Sequence, residues 1–213
     1  MKYVTGTVCC IGTGPSLTLA QVEVARAKGF TLFGCNRVWE IVPDLTVLWG
    51  TNLAFWQHYW CDRLAQYPAE KWTVSGEAAR LYRLQWVGER NAPGLSTDWR
   101  AIHHGHGGGY SMLNLAYLMG AQRVVLLGYD LSYARDYDGR EHRAGSTPRH
   151  YFGEYPAALQ HWPSVKVREG RHLELLALYQ SVAEQGLIEI INCTGPTSAL
   201  ACFPSMTIAD ERV

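Results

Sequence analysis

The stretch CCIGTGPSL, residues 9–17, runs an apolar segment into two glycines and a proline, and a helical pattern begins at once. At a strand-to-helix turn of this kind, glycines let the backbone approach a ligand and the N–H groups of the helix start face an anion. Gly12, Thr13, Gly14, Pro15 and Ser16 are therefore candidates for holding a phosphate. The full dinucleotide fingerprint is absent, because Leu17 stands at its third glycine. A plain turn explains the stretch equally well.

Asn36 and Asn52 follow strand-like runs at what would be the same edge of a sheet. Asparagine is common there because it closes Asx turns, but its amide also carries the donor and acceptor that suit a ribose or a base. The run HHGHGGGY, 103–110, holds His103, His104 and His106 without the spacing of a helical zinc site and without a nearby cysteine or carboxylate. Its glycines, Gly108 and Gly109 among them, better suit a loop that offers backbone N–H groups at a helix start, where Ser111 is either a cap or a phosphate ligand. Asp130 ends the most apolar strand and suits a metal, a ribose, a substrate hydroxyl or a structural cap. Further on, RHYFGEYP carries Arg149, His150, Tyr151 and Glu154, and His150 is the side chain suited to exchanging protons near neutral pH.

These residues need elements to position them. TVCCIG (7–12), FTLFGCN (30–36) and DLTVLWG (44–50) predict strands, as do KWTVSG (71–76) and LYRLQWVG (81–88). LTLAQVEVARAKG (17–29) predicts a helix, opened by a Thr18/Gln21 capping box and stopped by Gly29. The aromatic run in AFWQHYWCDRLAQ (54–66) predicts another helix whose rings suit either the core or a contact with a second subunit. YSMLNLAYLMG (110–120) is apolar almost all round and predicts a buried helix, followed by the continuous apolar strand RVVLLG (123–128). A helix from 168 to 185 and the strand LIEIIN (187–192) complete an alternation that predicts an α/β fold, a Rossmann-like, doubly wound, mostly parallel sheet in one nucleotide-binding domain over 1–213. The polar segment 131–166 is long enough to be a lid over the site.

Composition narrows the partners. Basic and acidic residues balance at 19 each, which gives no reason to expect nucleic acid or an anionic membrane. The cations are mostly arginine, with only four lysines among them; arginine suits bidentate contacts to phosphate and carboxylate, and a bias in genome composition explains the excess equally well. Six cysteines without CxxC or framework spacing predict reduced, buried thiols in a cytoplasmic protein. No apolar run is long enough to span a bilayer and no secretion signal is recognisable at the start.

Taken in order, IGTGPSL, FGCNRVWE, GTNLAFWQHYW, GGGYSMLNLAYLMGAQRVVLLGYDLSY, HYFG and GPTSAL resemble the bacterial Cst-type sialyltransferases, over about residues 7 to 203. The turn and the strand–Asp element also resemble the MptE-like 6-hydroxymethylpterin pyrophosphokinases and their uncharacterised bacterial and phage relatives. The first resemblance implies transfer from a CMP-activated sugar to a small-molecule or glycan acceptor without a required metal. It would make Gly12–Ser16 the phosphate and ribose turn, Asn36 and Asn52 nucleotide contacts, His150 the general base with Tyr151 beside it, and Tyr133 and Tyr137 the groups that stabilise the departing phosphate. Thr13 stands where that family has asparagine, Tyr133 and Tyr137 are offset from its tyrosine positions, and RHYFGEYP lacks its second histidine. The second resemblance implies ATP, Mg²⁺ and a hydroxymethyl acceptor, with Asp130 and one of Asp136, Asp138 or Glu154 as carboxylate ligands. A nucleotide-binding module without catalysis is the remaining alternative.

Overall fold

The computed structural model describes residues 3–105, 107–131, 151–153, 156, 159 and 165–211, with 165–172 as backbone alone. In chain order the elements are β1 (Thr7–Ile11), α1 (Leu19–Ala27), β2 (Thr31–Cys35), a 3-10 turn (Asn36–Glu40), β3 (Val47–Trp49), α2 (Leu53–Tyr59), α3 (Asp62–Gln66), β4 (Glu70–Thr73), α4 (Gly76–Tyr82), β5 (Gln85–Trp86), β6 (Gly88–Arg90), β7 (Ala101–His103), α5 (Gly108–Met119), β8 (Arg123–Leu127), α6 (Val165–Gln185) and β9 (Glu189–Asn192).

Seven strands form one sheet in the order β5-β4-β3-β2-β1-β8-β9, and every pairing in it is parallel. The chain moves outward from β1 to β5, then crosses back and continues from β8 on the other side of β1. The order therefore reverses between β1 and β8. In an open parallel sheet that reversal leaves a crevice beyond the carboxyl ends of the two strands, because the connections leave in opposite directions. Strands β6 and β7 pair in parallel apart from the main sheet.

The central strands β1, β2, β3 and β8 are mainly apolar because both faces are covered. Alternate residues of β1 divide between two cores: Val8 and Cys10 pack with α5, while Cys9 and Ile11 pack with Val22 and Ala25 of α1. Helix α5 is buried on nearly every side, from Tyr110 to Met119, and ends at Gly120 in the left-handed region at φ 102°. Helix α1 begins at the capping box read from the sequence: Thr18 accepts from Gln21 N at 3.2 Å, and Gln21 Oε1 accepts from Thr18 N at 2.9 Å.

The helix expected over 54–66 is two helices. Trp60 is extended, with ψ 121°, and the chain turns there before Asp62 opens α3. Phe55 and Trp56 are buried, so the aromatic run serves the core at those positions. The strand expected over 81–88 begins later, because 76–82 is α4. Ser75 caps it by accepting from Ala78 N at 3.2 Å, and Glu77, Ala78, Ala79, Arg80 and Leu81 are good helix formers. The polar stretch that follows holds β6 and β7. Among the described residues no helix is long and apolar enough to cross a membrane. All six cysteines are free, and Cys9, Cys10, Cys35 and Cys193 are buried.

Candidate functional site

At the reversal point, the turn after β1 lies against the end of β8. Gly12 N donates to Leu127 O at 2.7 Å and Gly14 N to Gly128 O at 2.9 Å. A Cβ on Gly12 would come within 2.5 Å of Gly128 O, and one on Gly14 would meet that carbonyl at 2.5 Å and overlap the Asp130 carboxylate. These two glycines are required by the packing of two strand ends. The turn has also spent most of its donors: Pro15 has none, Ser16 N faces Asp130 Oδ2 at 3.4 Å, Leu17 N donates to Gly14 O at 3.2 Å, and Thr18 N is held in the capping box.

Asp130 is 4% exposed and acts as a clamp. Its Oδ2 accepts from Ser16 Oγ at 2.7 Å, and its Oδ1 accepts from Thr197 Oγ1 at 2.9 Å. Its own carbonyl accepts from Ala199 N at 2.7 Å. Thr197 belongs to the loop after β9, where Ser198 Oγ donates to Tyr129 O at 2.8 Å and Asn192 Nδ2 donates to Ser198 Oγ at 2.9 Å. Thr194 Oγ1 accepts from Tyr129 N at 3.0 Å. Thr194, Thr197 and Ser198 therefore belong to the site's framework. The visible sign in the sequence was the serine- and threonine-rich CTGPTSAL following a strand.

The end of β2 contributes Asn36, which has φ 51° and whose amide nitrogen lies 3.5 Å from where a Cβ on Gly108 would stand. Arg37 beside it pairs with Glu40, Nε to Oε1 at 2.7 Å, and its guanidinium lies over Phe152 at 4.6 Å and Tyr59 at 5.5 Å. Tyr151 N donates to Thr13 O at 2.8 Å. Two contacts thus fasten 151–152 across the ends of β1 and β2.

A cleft of about 230 Å³ opens beyond the ends of β3 and β4, lined by Thr51, Asn52, Val74, Glu89, His104, Gly107 and Gly108. Helix α5 starts at its wall with no side-chain cap, and the N–H groups of Gly108, Gly109 and Tyr110 find no acceptor among the described residues. Uncapped N–H groups at a helix start carry a partial positive charge. Ser111 is not available to a ligand in the same way. It is fully buried, accepts from Trp49 Nε1 at 2.9 Å, and donates toward Gly107 O at 3.0 Å. Asn52 uses Oδ1 to cap α2, accepting from Phe55 N at 2.8 Å, so the amide NH₂ is what it can offer the cleft.

The described histidines of the run 103–106 are separated. His103 Nδ1 lies 2.9 Å from Gly94 O, whereas His104 Nε2 lies 3.7 Å from Glu89 Oε2 in the cleft wall. Behind the site, Tyr129 is buried with its hydroxyl donating to Gly109 O at 3.0 Å, and burial raises its pKa well above the ordinary value. Burial likewise raises the Cys10 thiol and pushes Cys35 up to about 12.

His150, Tyr133 and Tyr137 lie outside the described residues, as do His106, Arg149, Asp136, Asp138, Glu154 and most of the expected lid over 131–166. Mg²⁺ fits Asp130 poorly as the described residues stand, because both carboxylate oxygens already accept from hydroxyl groups. Among the described residues no group of three His, Cys, Asp or Glu side chains is arranged to hold a metal. The fold defines the chain as a Rossmann-like α/β protein with its sheet order reversing beside a glycine turn. No family model, no curated protein and no solved structure matches the chain.

Proposed function

We propose that the chain is a nucleotide-dependent transferase, and that its reaction is a sialyltransferase-like transfer of a sugar from a CMP-activated donor. The observation that carries this reading is the uncapped start of α5 opening onto the 230 Å³ cleft beyond the carboxyl ends of β3 and β4. The phosphate would sit on the Gly108, Gly109 and Tyr110 N–H groups. Asn36 and the Asn52 amide would contact the sugar or base of the nucleotide, and the Gly12–Ser16 turn would close the floor.

His150 would take the proton of the acceptor hydroxyl as its oxygen bonds to the anomeric carbon, while the bond to the CMP phosphate breaks and the phosphate leaves with the electron pair. Tyr133 and Tyr137 would donate to that phosphate. The hydrogen bond from Tyr151 to Thr13 supports the role of His150, because it fastens the next residue in the chain to the turn. The pyrophosphokinase reading requires Asp130 to exchange its hydroxyl partners for a metal, which makes it second.

The test is calorimetric titration with CMP, CDP, UDP and ATP, each with Mg²⁺ and again with EDTA. CMP or CDP binding that survives EDTA, with His150→Ala abolishing transfer at little change in CMP affinity, is the expected result. ATP binding that vanishes in EDTA moves the assignment to pyrophosphoryl transfer. Binding without turnover of any donor leaves a nucleotide-binding module, and no binding of any of them sinks the reading.

A further inference from the structure

The cleft contains a charged wall that phosphate binding does not use. Glu89 of β6 lines it with a half-exposed carboxylate, and His104, which follows β7, stands 3.7 Å away. The parallel pairing of β6 with β7 brings Arg90 opposite His103, so the two side chains come from neighbouring strand ends. Thr51, Asn52 and the start of α5 line the same cleft. A carboxylate and uncapped helix N–H groups lining one small cleft favour an occupant that is anionic at one end and donates hydrogen bonds at the other.

A nucleotide has that polarity. The start of α5 and Glu89 both line this one cleft. With the phosphate at the α5 start, the base reaches toward Glu89.

We infer that Glu89, with His104 beside it, selects the base by accepting a hydrogen bond from an exocyclic amine. Cytosine and adenine present an amino group on the edge opposite the sugar. Uracil presents a carbonyl at the same position, and its lone pairs face the carboxylate charge. The inference rests on the nucleotide reading above, but it concerns a different residue and a different measurement. A hydrogen bond to a charged acceptor, set against a carbonyl facing that charge, makes a difference of roughly tenfold or more in affinity.

The experiment is titration of the whole chain and of Glu89→Gln with CMP, AMP and UMP. In the unaltered chain both amino-bearing nucleotides should bind at least about tenfold more tightly than UMP. Gln keeps the shape, removes the charge and offers an NH₂ to the uracil carbonyl, so Glu89→Gln should weaken CMP and AMP and strengthen UMP. His104→Ala should narrow the preference in the same direction, because the carboxylate loses its neighbour. UMP bound as tightly as CMP and AMP, or a CMP-to-UMP ratio that Glu89→Gln leaves unchanged, overturns the assignment of Glu89 while the nucleotide reading stands. Binding of none of the three overturns both.

Discussion

Two glycine-rich stretches meet at the carboxyl ends of the strands, and they carry their glycines for opposite reasons. At Gly12 and Gly14 the neighbours leave no room: the Gly128 carbonyl stands 2.5 Å from both candidate Cβ positions, and Asp130 closes over the second. At Gly108 the nearest atom to a Cβ is Asn36 Nδ2 at 3.5 Å, an ordinary contact. The donors follow the same division. The first turn gives its N–H groups to Leu127, Gly128, Asp130 and Gly14, while the start of α5 keeps three without acceptors among the described residues. A glycine demanded by packing says little about ligands. A glycine that neither packing nor positive φ demands, at an uncapped helix start beside a cleft, is the more informative one.

The largest expected effect lies on the packed side. Gly14→Ala should destabilise the fold by about 3 kcal/mol, because neither the Gly128 backbone nor the clamped Asp130 can move without breaking other bonds. Urea denaturation measures it, and a loss within error of zero would mean that the turn is looser than this packing implies. Gly108→Ala should do the reverse. Stability should hold or rise by about 0.5–1 kcal/mol, as alanine replaces glycine in a helix, while nucleotide affinity falls by roughly tenfold as a methyl group meets the phosphate site. Parallel melting and titration would separate the two outcomes. A variant that binds as well as the parent would remove the α5 start from the site.

An effect confined to alkaline pH concerns the floor beneath both stretches, where Cys10 and Cys35 lie buried in β1 and β2. Burial disfavours their thiolates, and Cys35 is pushed up to about 12. An unfolded cysteine titrates near about 8.5. The unfolded chain therefore loses its protons first as pH rises. Stability from this source is full below about pH 8.5 and declines toward the folded value, by about 1.4 kcal/mol per pH unit for each such thiol. Urea midpoints measured from neutral pH upward should be level and then fall, and Cys35→Ala should make the fall shallower. A profile that stays level to strongly alkaline pH would contradict the burial of these thiols.

What could be read beforehand had local causes. Strands β1, β2, β3 and β8 showed as largely apolar runs, continuous at β8, because both faces of a parallel sheet are covered. Helix α5 showed as apolar all round, and α1 by a capping box that spans only Thr18 to Gln21. The turn at Gly12–Ser16, the strand-ending Asp130 and the glycines at 107–109 were all recognisable as places suited to holding a ligand. The break at Trp60 and the helix at 76–82 were missed because short helices in aromatic or mixed stretches carry too few turns to impose a period.

The sequence by itself determined the α/β alternation, the main strands and the positions of the two glycine-rich stretches, since each follows from the spacing of neighbours along the chain. Only the tertiary structure decided which stretch still has donors to give. Ser16 meets Asp130 across 114 residues, and Asp130 meets Thr197 across 67. Hydrogen bonds over such separations depend on the order of strands in the sheet and leave no periodic trace in the chain. The same is true of Glu89 and His104, which no motif singles out as a pair and which the pairing of β6 with β7 brings together beside the cleft.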